Sequence, residues 1–248
     1  MFTFLEYAGF GFTIVGGGYA IYQICQQIKH NTCLQKELFF PQGNYDIDER
    51  PYALCLAEEV DIDWIFNKSS ELHGEESSPR RQRLSWFHKN PKGVWVIKNS
   101  RNNTCGSVEI FPVRCSYVQE LKQGTLHEKD KTADDIFGPN EDFDCLYIES
   151  IMAVDKNNQG DPWVLREIIA RSIFLLDSQF PSWRKKHIFN QTVSTYRTLL
   201  GVRKSNAAEI LEKLGFVKVG YNSCQRVPIY RVLGEDLAKA IERRFPST

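Results

Sequence analysis

Leu146-Tyr-Ile-Glu-Ser-Ile-Met-Ala-Val154 is a mostly apolar run, followed by the polar stretch Asp155-Lys-Asn-Asn-Gln-Gly160 and then by Asp161-Pro-Trp-Val-Leu-Arg-Glu-Ile-Ile-Ala170. The three segments predict a buried strand, a loop, and a helix with Asp161 as N-cap and Pro162 as its first residue. Unpaired backbone N–H groups and the positive end of the dipole meet at such a helix start, so the loop can receive a phosphate-sized anion. The capping carboxylate of Asp161 competes with that anion.

Strand and helix patterns alternate on both sides of this segment. The alternation predicts an α/β fold with a mixed central sheet and helices on both faces. Helical spacing is found at 52–66, 80–89, 162–177, 205–214 and 235–245, and strand patterns at 93–97, 105–111, 146–154, 187–193, 216–220 and 228–233.

Composition excludes several functional classes. The 248 residues carry no net charge and no long basic run, so nucleic acid is not an expected partner. The seven cysteines and five histidines are scattered without the spacing of metal ligands, so no metal site is expected, and a reducing compartment is the simplest interpretation.

The N-terminal segment has the length of a membrane anchor. Residues 7–28 contain no charged side chain, which is enough for a helix across a bilayer, although three central glycines and several glutamines favour the alternative of a packing helix. If residues 7–28 attach the protein to a membrane, Lys29 and His30 place the following domain in the cytoplasm; otherwise the protein is a soluble cytoplasmic one. The predicted division is 1–30 as anchor or packing helix, 31–49 as connector, and 50–248 as the folded domain, with an insertion at 114–144.

Two motifs carry a resemblance to a known family. The first is Met152-Ala-Val154 with Gln159-Gly160 ahead of the helix, which resembles the acyl-CoA pyrophosphate loop of the GNAT acyltransferase superfamily. The second is Asn206-Ala-Ala-Glu-Ile-Leu-Glu-Lys-Leu-Gly-Phe216, which is similar to the GNAT helix that ends in Leu-Gly-Phe before a strand. The resemblance covers roughly residues 50–235. It implies an N-acyltransferase that moves an acetyl or other acyl group from acyl-CoA to a small-molecule or peptide amine by direct attack.

The chain departs from the family pattern in two places. The small positions of the loop fall on Pro162 and Val164, so the loop is degenerate, and side-chain charge from Arg166 or Lys156 could replace backbone contacts. The tyrosine that can protonate the leaving thiolate is replaced by Leu211, which leaves water or Tyr221 as a proton source. Both departures favour the alternative of a catalytically inactive GNAT-like binding or regulatory module at the membrane.

The resemblance also implies site residues. Glu149 is the expected general base, since a carboxylate among apolar neighbours has a raised pKa; the alternative is that it faces solvent or pairs with an arginine. Strand alternation predicts Tyr147, Glu149 and Ile151 on one face, opposite Leu146, Ile148 and Met152. Asn190 could bind the pantetheine arm or the acceptor, or could bridge two diverging parallel strands. The acidic residues of the insertion favour a cationic amine; they are Asp134, Asp135, Glu141, Asp142 and Asp144. The expected acyl-CoA contacts are Ile151, Met152, Val154, Gln159, Gly160, Asp161, Trp163 and Asn190.

Overall fold

The protein is described from a computed structural model that covers residues 52–73, 77–153, 162–192, 195–198, 201–204, 206–222 and 227–245. Seven strands form one sheet in the order β1-β2-β3-β4-β5-β9-β8, and β6 and β7 form a separate two-stranded ribbon. The strands are β1 (Ala53–Leu56), β2 (Val94–Lys98), β3 (Thr104–Val113), β4 (Cys145–Ala153), β5 (His187–Gln191), β6 (Thr195–Thr198), β7 (Gly201–Lys204), β8 (Val217–Asn222) and β9 (Val227–Leu233).

Helices cover both faces of the large sheet, as the alternating pattern predicts. One buried cluster joins α4 and α6 to one face, and a second joins α1, α2 and α3 to the other. The mixed α/β architecture predicted from the sequence is therefore confirmed. The helices are α1 (Glu59–His73), α2 (Arg80–Lys89), α3 (Cys115–Gln123), α4 (Pro162–Gln179), α5 (Asn206–Lys213) and α6 (Gly234–Arg244).

Two regions differ from the sequence-based expectation. Residues 53–56 are an edge strand paired with β2, not the start of a helix, because pairing across 41 residues overrides a short local pattern. The insertion 114–144 contains α3 and two 3-10 turns, Glu128–Asp130 and Ala133–Asp135, where the sequence indicated only a long polar loop.

A β-bulge interrupts the pairing of β3 with β4. Ser150 lies opposite Glu109 and Ile148 lies opposite Ile110, so Glu149 is the extra residue. Beyond the bulge the alternation of side chains is reversed. Met152 therefore packs in the cluster under α1–α3 and Ile151 against the opposite cluster, and the predicted shared face of Glu149 and Ile151 is wrong. The face shared by Tyr147 and Glu149 is as predicted, since both approach Lys131.

Strands β4 and β5 are the parallel pair of this sheet, and they separate part of the way along. Residues 145–148 pair with 187–190, after which β5 continues beside β9 and residues 150–153 of β4 pair with β3 only, among the strands that the structure describes. This divergence, called the fork below, leaves one backbone edge of β4 without a partner among those strands.

The membrane prediction lies outside the described residues. Residues 7–28 and the connector 31–49 are not part of that set. Among the helices that are described, none has the length and apolar character needed to cross a bilayer.

Candidate active site

Asn190 holds the point at which the fork opens. It lies on β5 opposite Ile148, the last paired residue of β4, and its Nδ2 donates a hydrogen bond of 3.1 Å to the Ile148 carbonyl. The structure therefore shows the bridging arrangement that the sequence left open for Asn190. The bridge satisfies a buried carbonyl that would otherwise lose its sheet partner where the strands part.

Polar atoms beside the fork have capacity for a ligand. Asn190 and Thr192 are buried, and Asn190 Oδ1 and Thr192 Oγ1 have no hydrogen-bond partner among the described residues. Buried polar atoms of proteins are almost always paired, so two unpaired ones near an open strand edge indicate a place for another hydrogen-bonding group.

Glu149 lies at the bulge where the fork begins, and it is buried and not exposed to solvent. Its Oε2 accepts a hydrogen bond of 2.5 Å from Lys131 Nζ, and the two form an ion pair. The sequence left three environments open for Glu149: apolar neighbours, solvent, or a nearby arginine. In the structure the partner of the carboxylate is a lysine of the insertion. A bulge commonly re-aims a side chain next to a functional site, and here it points the carboxylate at the α1–α2 layer.

Aromatic rings surround the Lys131 ammonium. Nζ lies 4.1 Å from the ring centroid of Trp86, 4.7 Å from Phe111 and 5.7 Å from Tyr147. These distances are within the range at which the negative faces of aromatic rings attract a cation. We call the set formed by these three rings and the Glu149 carboxylate the cage.

A second buried ion pair adjoins the cage. Arg83 of α2 is paired with Glu109 of β3, and its Nη2 donates to Ser69 Oγ at 2.8 Å. Ser150 Oγ donates to Glu109 at 2.6 Å. This network ties α1, α2, β3 and β4 together behind Glu149, and it keeps the Glu109 charge compensated.

The two carboxylates have shifted pKa values in opposite directions. Burial raises the pKa of Glu149, and the Lys131 ammonium beside it opposes that rise without reversing it. Burial acts on Glu109 in the same sense, but Arg83 and the Ser150 hydrogen bond outweigh it, so the pKa of Glu109 is lowered. Of the two carboxyl groups, Glu149 is therefore the one whose surroundings favour uptake of a proton.

The remaining expected acyl-CoA contacts are only partly within the described structure. Ile151 and Met152 lie on the β4 segment that borders the fork. Five residues with an expected role in acyl-CoA binding lie outside the described residues: Val154, Lys156, Gln159, Gly160 and Asp161. Helix α4 begins at Pro162, as predicted. The side chain of Trp163 is not described. Arg166 is buried, with its guanidinium 5.4 Å from the Phe245 ring.

Leu211, at the position of the family's usual acid, and Tyr221, the side chain expected to replace that acid, lie on α5 and β8 and not on β4. Leu211 is in the apolar core beside α4 and α6. Tyr221 is half exposed on β8, the edge strand of the sheet, and accepts a hydrogen bond of 2.7 Å from Lys218. The pKa of Tyr117 is raised well above its ordinary value, mainly by burial and in smaller part by the charge of Glu149.

The acidic residues of the insertion have structural partners at the surface. Asp135 accepts from the backbone of Thr132, Asp142 pairs with Lys186, and Asp144 accepts from the backbone of Cys115. The charged side chains that the insertion buries are Lys131 and Glu128. No sequence pattern marks Lys131, but the single charged residue within each of two apolar strands, Glu109 and Glu149, is a signal for a buried cation nearby.

Comparison with solved structures shows that this arrangement of strands and helices occurs elsewhere. An uncharacterized protein from Bacillus halodurans superposes with a TM-score of 0.50 at 12% identity, covering 80% of this chain and 92% of that one. A spermidine N-acetyltransferase from Vibrio cholerae, solved with CoA and spermine, gives 0.45 at 16% identity, over 76% and 98%. A GNAT-family acetyltransferase from Listeria monocytogenes gives 0.43 at 13% identity, over 73% and 94%.

These identities are low, so the likeness concerns the fold alone. No protein-family model matches the chain, and no curated protein sequence matches it. The order of elements that the sequence resemblance implies is nevertheless present: two helices, a hairpin, β4 with α4, β5, a helix ending in Leu-Gly-Phe, and a final pair of strands. The observed fold therefore agrees with the one that the sequence resemblance implies.

Proposed function

We propose that the protein is an acyl-CoA-dependent N-acyltransferase that acts on an amine. The observation that carries this proposal is the fork, where an open edge of β4 adjoins a buried carboxylate and two unpartnered polar atoms. The open edge can pair with the pantetheine arm along Ile151 and Met152. Asn190 and Thr192 can receive its amides.

In the proposed reaction the amine nitrogen attacks the thioester carbonyl carbon directly. The C–N bond forms, the C–S bond breaks, and CoA leaves as a thiolate that takes up a proton. Glu149 accepts the proton from the attacking amine, and its raised pKa suits that role. A backbone N–H of the open β4 edge near Met152 polarises the carbonyl, and most of the rate comes from positioning.

Glu149→Gln tests this chemistry, because glutamine keeps the shape of the side chain and cannot accept the proton. We expect kcat/KM to fall about a hundredfold or more for any amine that the protein acetylates. Glu120→Gln, on the exposed side of α3, is the matched control and should keep its activity. A Glu149→Gln variant that is as active as the natural protein would remove Glu149 from the mechanism.

The alternative function is a GNAT-like module that binds a ligand without catalysis. Two observations favour it. The Glu149 carboxylate is already paired with Lys131, and the position of the family's usual acid is held by Leu211, which lies in the apolar core. Calorimetry with acetyl-CoA, followed by an acetylation assay on a panel of alkylamines, polyamines and amine-bearing peptides, separates the two. Binding without turnover supports the module, and no binding at millimolar acetyl-CoA contradicts the transferase.

The proposed place of action follows from the sequence of residues 7–28 alone. That segment would anchor the protein in a membrane with the acyltransferase domain in the cytoplasm. A soluble cytoplasmic protein, in which the same segment packs on the domain, is the competing arrangement.

A further inference from the structure

Lys131 is an unusual residue to find at this position. It is fully buried, with an exposed fraction of 0%, yet the charged residues next to it in the same segment, Lys129 and Asp130, are exposed. A buried ion pair is weak evidence for a stabilising role, since apolar residues of the same volume often stabilise a core as well or better. A buried lysine paired with a carboxylate beside a candidate site therefore calls for a functional explanation.

The surroundings of Lys131 Nζ are those of an ammonium-binding site. Three aromatic rings provide cation–π contacts and Glu149 provides the counter-charge at 2.5 Å. The ring of Tyr117 packs edge-on against Tyr147, with ring centroids 5.4 Å apart. The Tyr117 hydroxyl is buried and has no hydrogen-bond partner among the described residues. It leaves hydrogen-bonding capacity beside the cage that Lys131 does not use.

The backbone that carries Lys131 is attached to α2 mainly by polar contacts. Gln82 Nε2 donates to the carbonyls of Lys129 and Lys131, both at 2.6 Å, and Trp86 Nε1 donates to the Lys131 carbonyl at 3.0 Å. The bond from Gln82 to the Lys129 carbonyl is exposed, so water can replace it, whereas the bonds to the Lys131 carbonyl are partly or fully buried and need other partners if this segment moves.

We propose that Lys131 is an internal occupant of the acceptor site: the cage binds the ammonium group of the acceptor amine, and the Lys131 side chain must leave before that amine can enter. The inference rests on the proposed transferase function and specifies it, since it assigns the acceptor as a primary alkylammonium and makes Lys131 a competitor of it. Glu149 then serves both as counter-charge for the entering ammonium and as acceptor of its proton.

Lys131→Ala tests the cage directly in the full-length protein. The truncation removes a propylammonium group, so n-propylammonium chloride is the complementary probe, with 1-propanol as its uncharged analogue and sodium chloride as the control for ionic strength. We expect n-propylammonium to raise the Tm of the variant in a saturable way, at concentrations at least tenfold lower than 1-propanol. The natural protein should need concentrations at least tenfold higher for such a shift, as should Lys129→Ala, which alters an exposed lysine of the same segment.

Lys131→Ala/Glu149→Gln should lose the preference for the cation, because the counter-charge is gone. If Lys131→Ala does not fold alone, its folding should be restored by n-propylammonium and not by 1-propanol. Equal effects of the two probes, or a variant that neither probe restores, would overturn the cage and leave Lys131 as a structural residue.

Turnover separates this inference from the proposed function. Under the proposal, Lys131→Ala has a KM for small primary amines at least tenfold below that of the natural protein and of Lys129→Ala, with a smaller change in kcat. Cation-specific binding without acetylation by any variant would support the cage and contradict the transferase. Turnover by the natural protein with no change in KM in Lys131→Ala would support the transferase and contradict the cage.

Discussion

The side-chain amide of Asn190 donates a hydrogen bond of 3.1 Å to the main-chain carbonyl of Ile148, across the last residue pair that joins β4 to β5. Beyond this pair the next residue of β4 is the bulged Glu149. The bridge thus lies at the end of the parallel pairing, and the bulge turns the next carboxylate toward Lys131. The edge of β4 without a partner among the described strands and the buried carboxylate therefore begin at two adjacent residues, Ile148 and Glu149.

Asn190→Ala should weaken both the fold and the fork. The substitution leaves the buried Ile148 carbonyl without its donor, which costs about 1–3 kcal/mol of unfolding free energy. Urea unfolding measures that loss, and calorimetry should show weaker binding of acetyl-CoA. Asn103→Ala, at an exposed position in the turn between β2 and β3, should change neither quantity beyond about 0.5 kcal/mol. Equal stability of the two variants would show that the bridge is dispensable.

Gly106→Ala should be destabilising because three elements meet at this residue of β3. An added Cβ would lie 2.7 Å from the Met152 carbonyl oxygen, 2.8 Å from Ile97 Cγ2 and 2.9 Å from Val164 Cγ1. The carbonyl oxygen belongs to the β4 backbone and cannot turn aside, so we expect a loss of about 1–3 kcal/mol in urea unfolding.

Gly220→Ala on β8 is the matched control for this substitution. Its added Cβ would approach only the flexible Lys122 side chain, at 3.7 Å. Alanine also loses less backbone entropy than glycine on folding, so this variant should be as stable as the natural protein or slightly more stable. A Gly220→Ala variant as unstable as Gly106→Ala would mean that crowding at Gly106 is not the cause.

The sequence predicts the parts of this fold that depend on neighbouring residues. Pro162 begins α4 as its position predicts. The helix of the Leu-Gly-Phe motif is followed by Gly215 with a φ of 88°, a left-handed conformation that glycine adopts without strain. Apolar runs with caps and glycine stops are local signals, and they locate β4, α4 and α5 correctly.

Features that depend on pairing between distant segments could not be predicted in this way. The bulge at Glu149 is a property of the register between β3 and β4, and it reverses the faces assigned to Ile151 and Met152. Lys131 reaches Glu149 from a polar segment that has no periodic pattern. The charges of the insertion predicted a site for a cationic amine, but Asp135, Asp142 and Asp144 have backbone or ion-pair partners at the surface, and a lysine of the insertion lies beside Glu149 instead.

The N-terminal prediction can be tested by fractionation. If residues 7–28 span a bilayer, the full-length protein should remain in the membrane pellet after carbonate extraction, because alkaline treatment releases proteins that are held by charge alone. A variant without residues 1–30 should appear in the supernatant and serves as the control. Full-length protein in the supernatant would rule out a spanning helix and favour the packing alternative.

Glu109 and Glu149 should make opposite contributions to the pH dependence of the unfolding free energy. The lowered pKa of Glu109 means that the unfolded chain binds its proton more readily, so this contribution is complete above the ordinary value of 4.5 and is lost as the pH falls through the lowered pKa. The raised pKa of Glu149 acts in reverse: its contribution is present below 4.5 and is lost as the pH rises through the raised value.

Urea unfolding from about pH 3 to pH 8, the range in which carboxyl groups with shifted pKa values titrate, measures these slopes. Glu109→Gln should remove part of the rise of stability with pH on the acid side of 4.5, and Glu149→Gln should remove part of the fall on the alkaline side. Both variants lose stability overall, because each leaves a buried cation without its carboxylate. The test therefore compares how the unfolding free energy changes with pH, and not its absolute value. Glu120→Gln is the control and should keep the pH dependence of the natural protein on both sides of 4.5. If the unfolding free energy of Glu149→Gln ran parallel to that of the natural protein above pH 4.5, the raised pKa of Glu149 would be contradicted, and with it the proposed role of Glu149 as base.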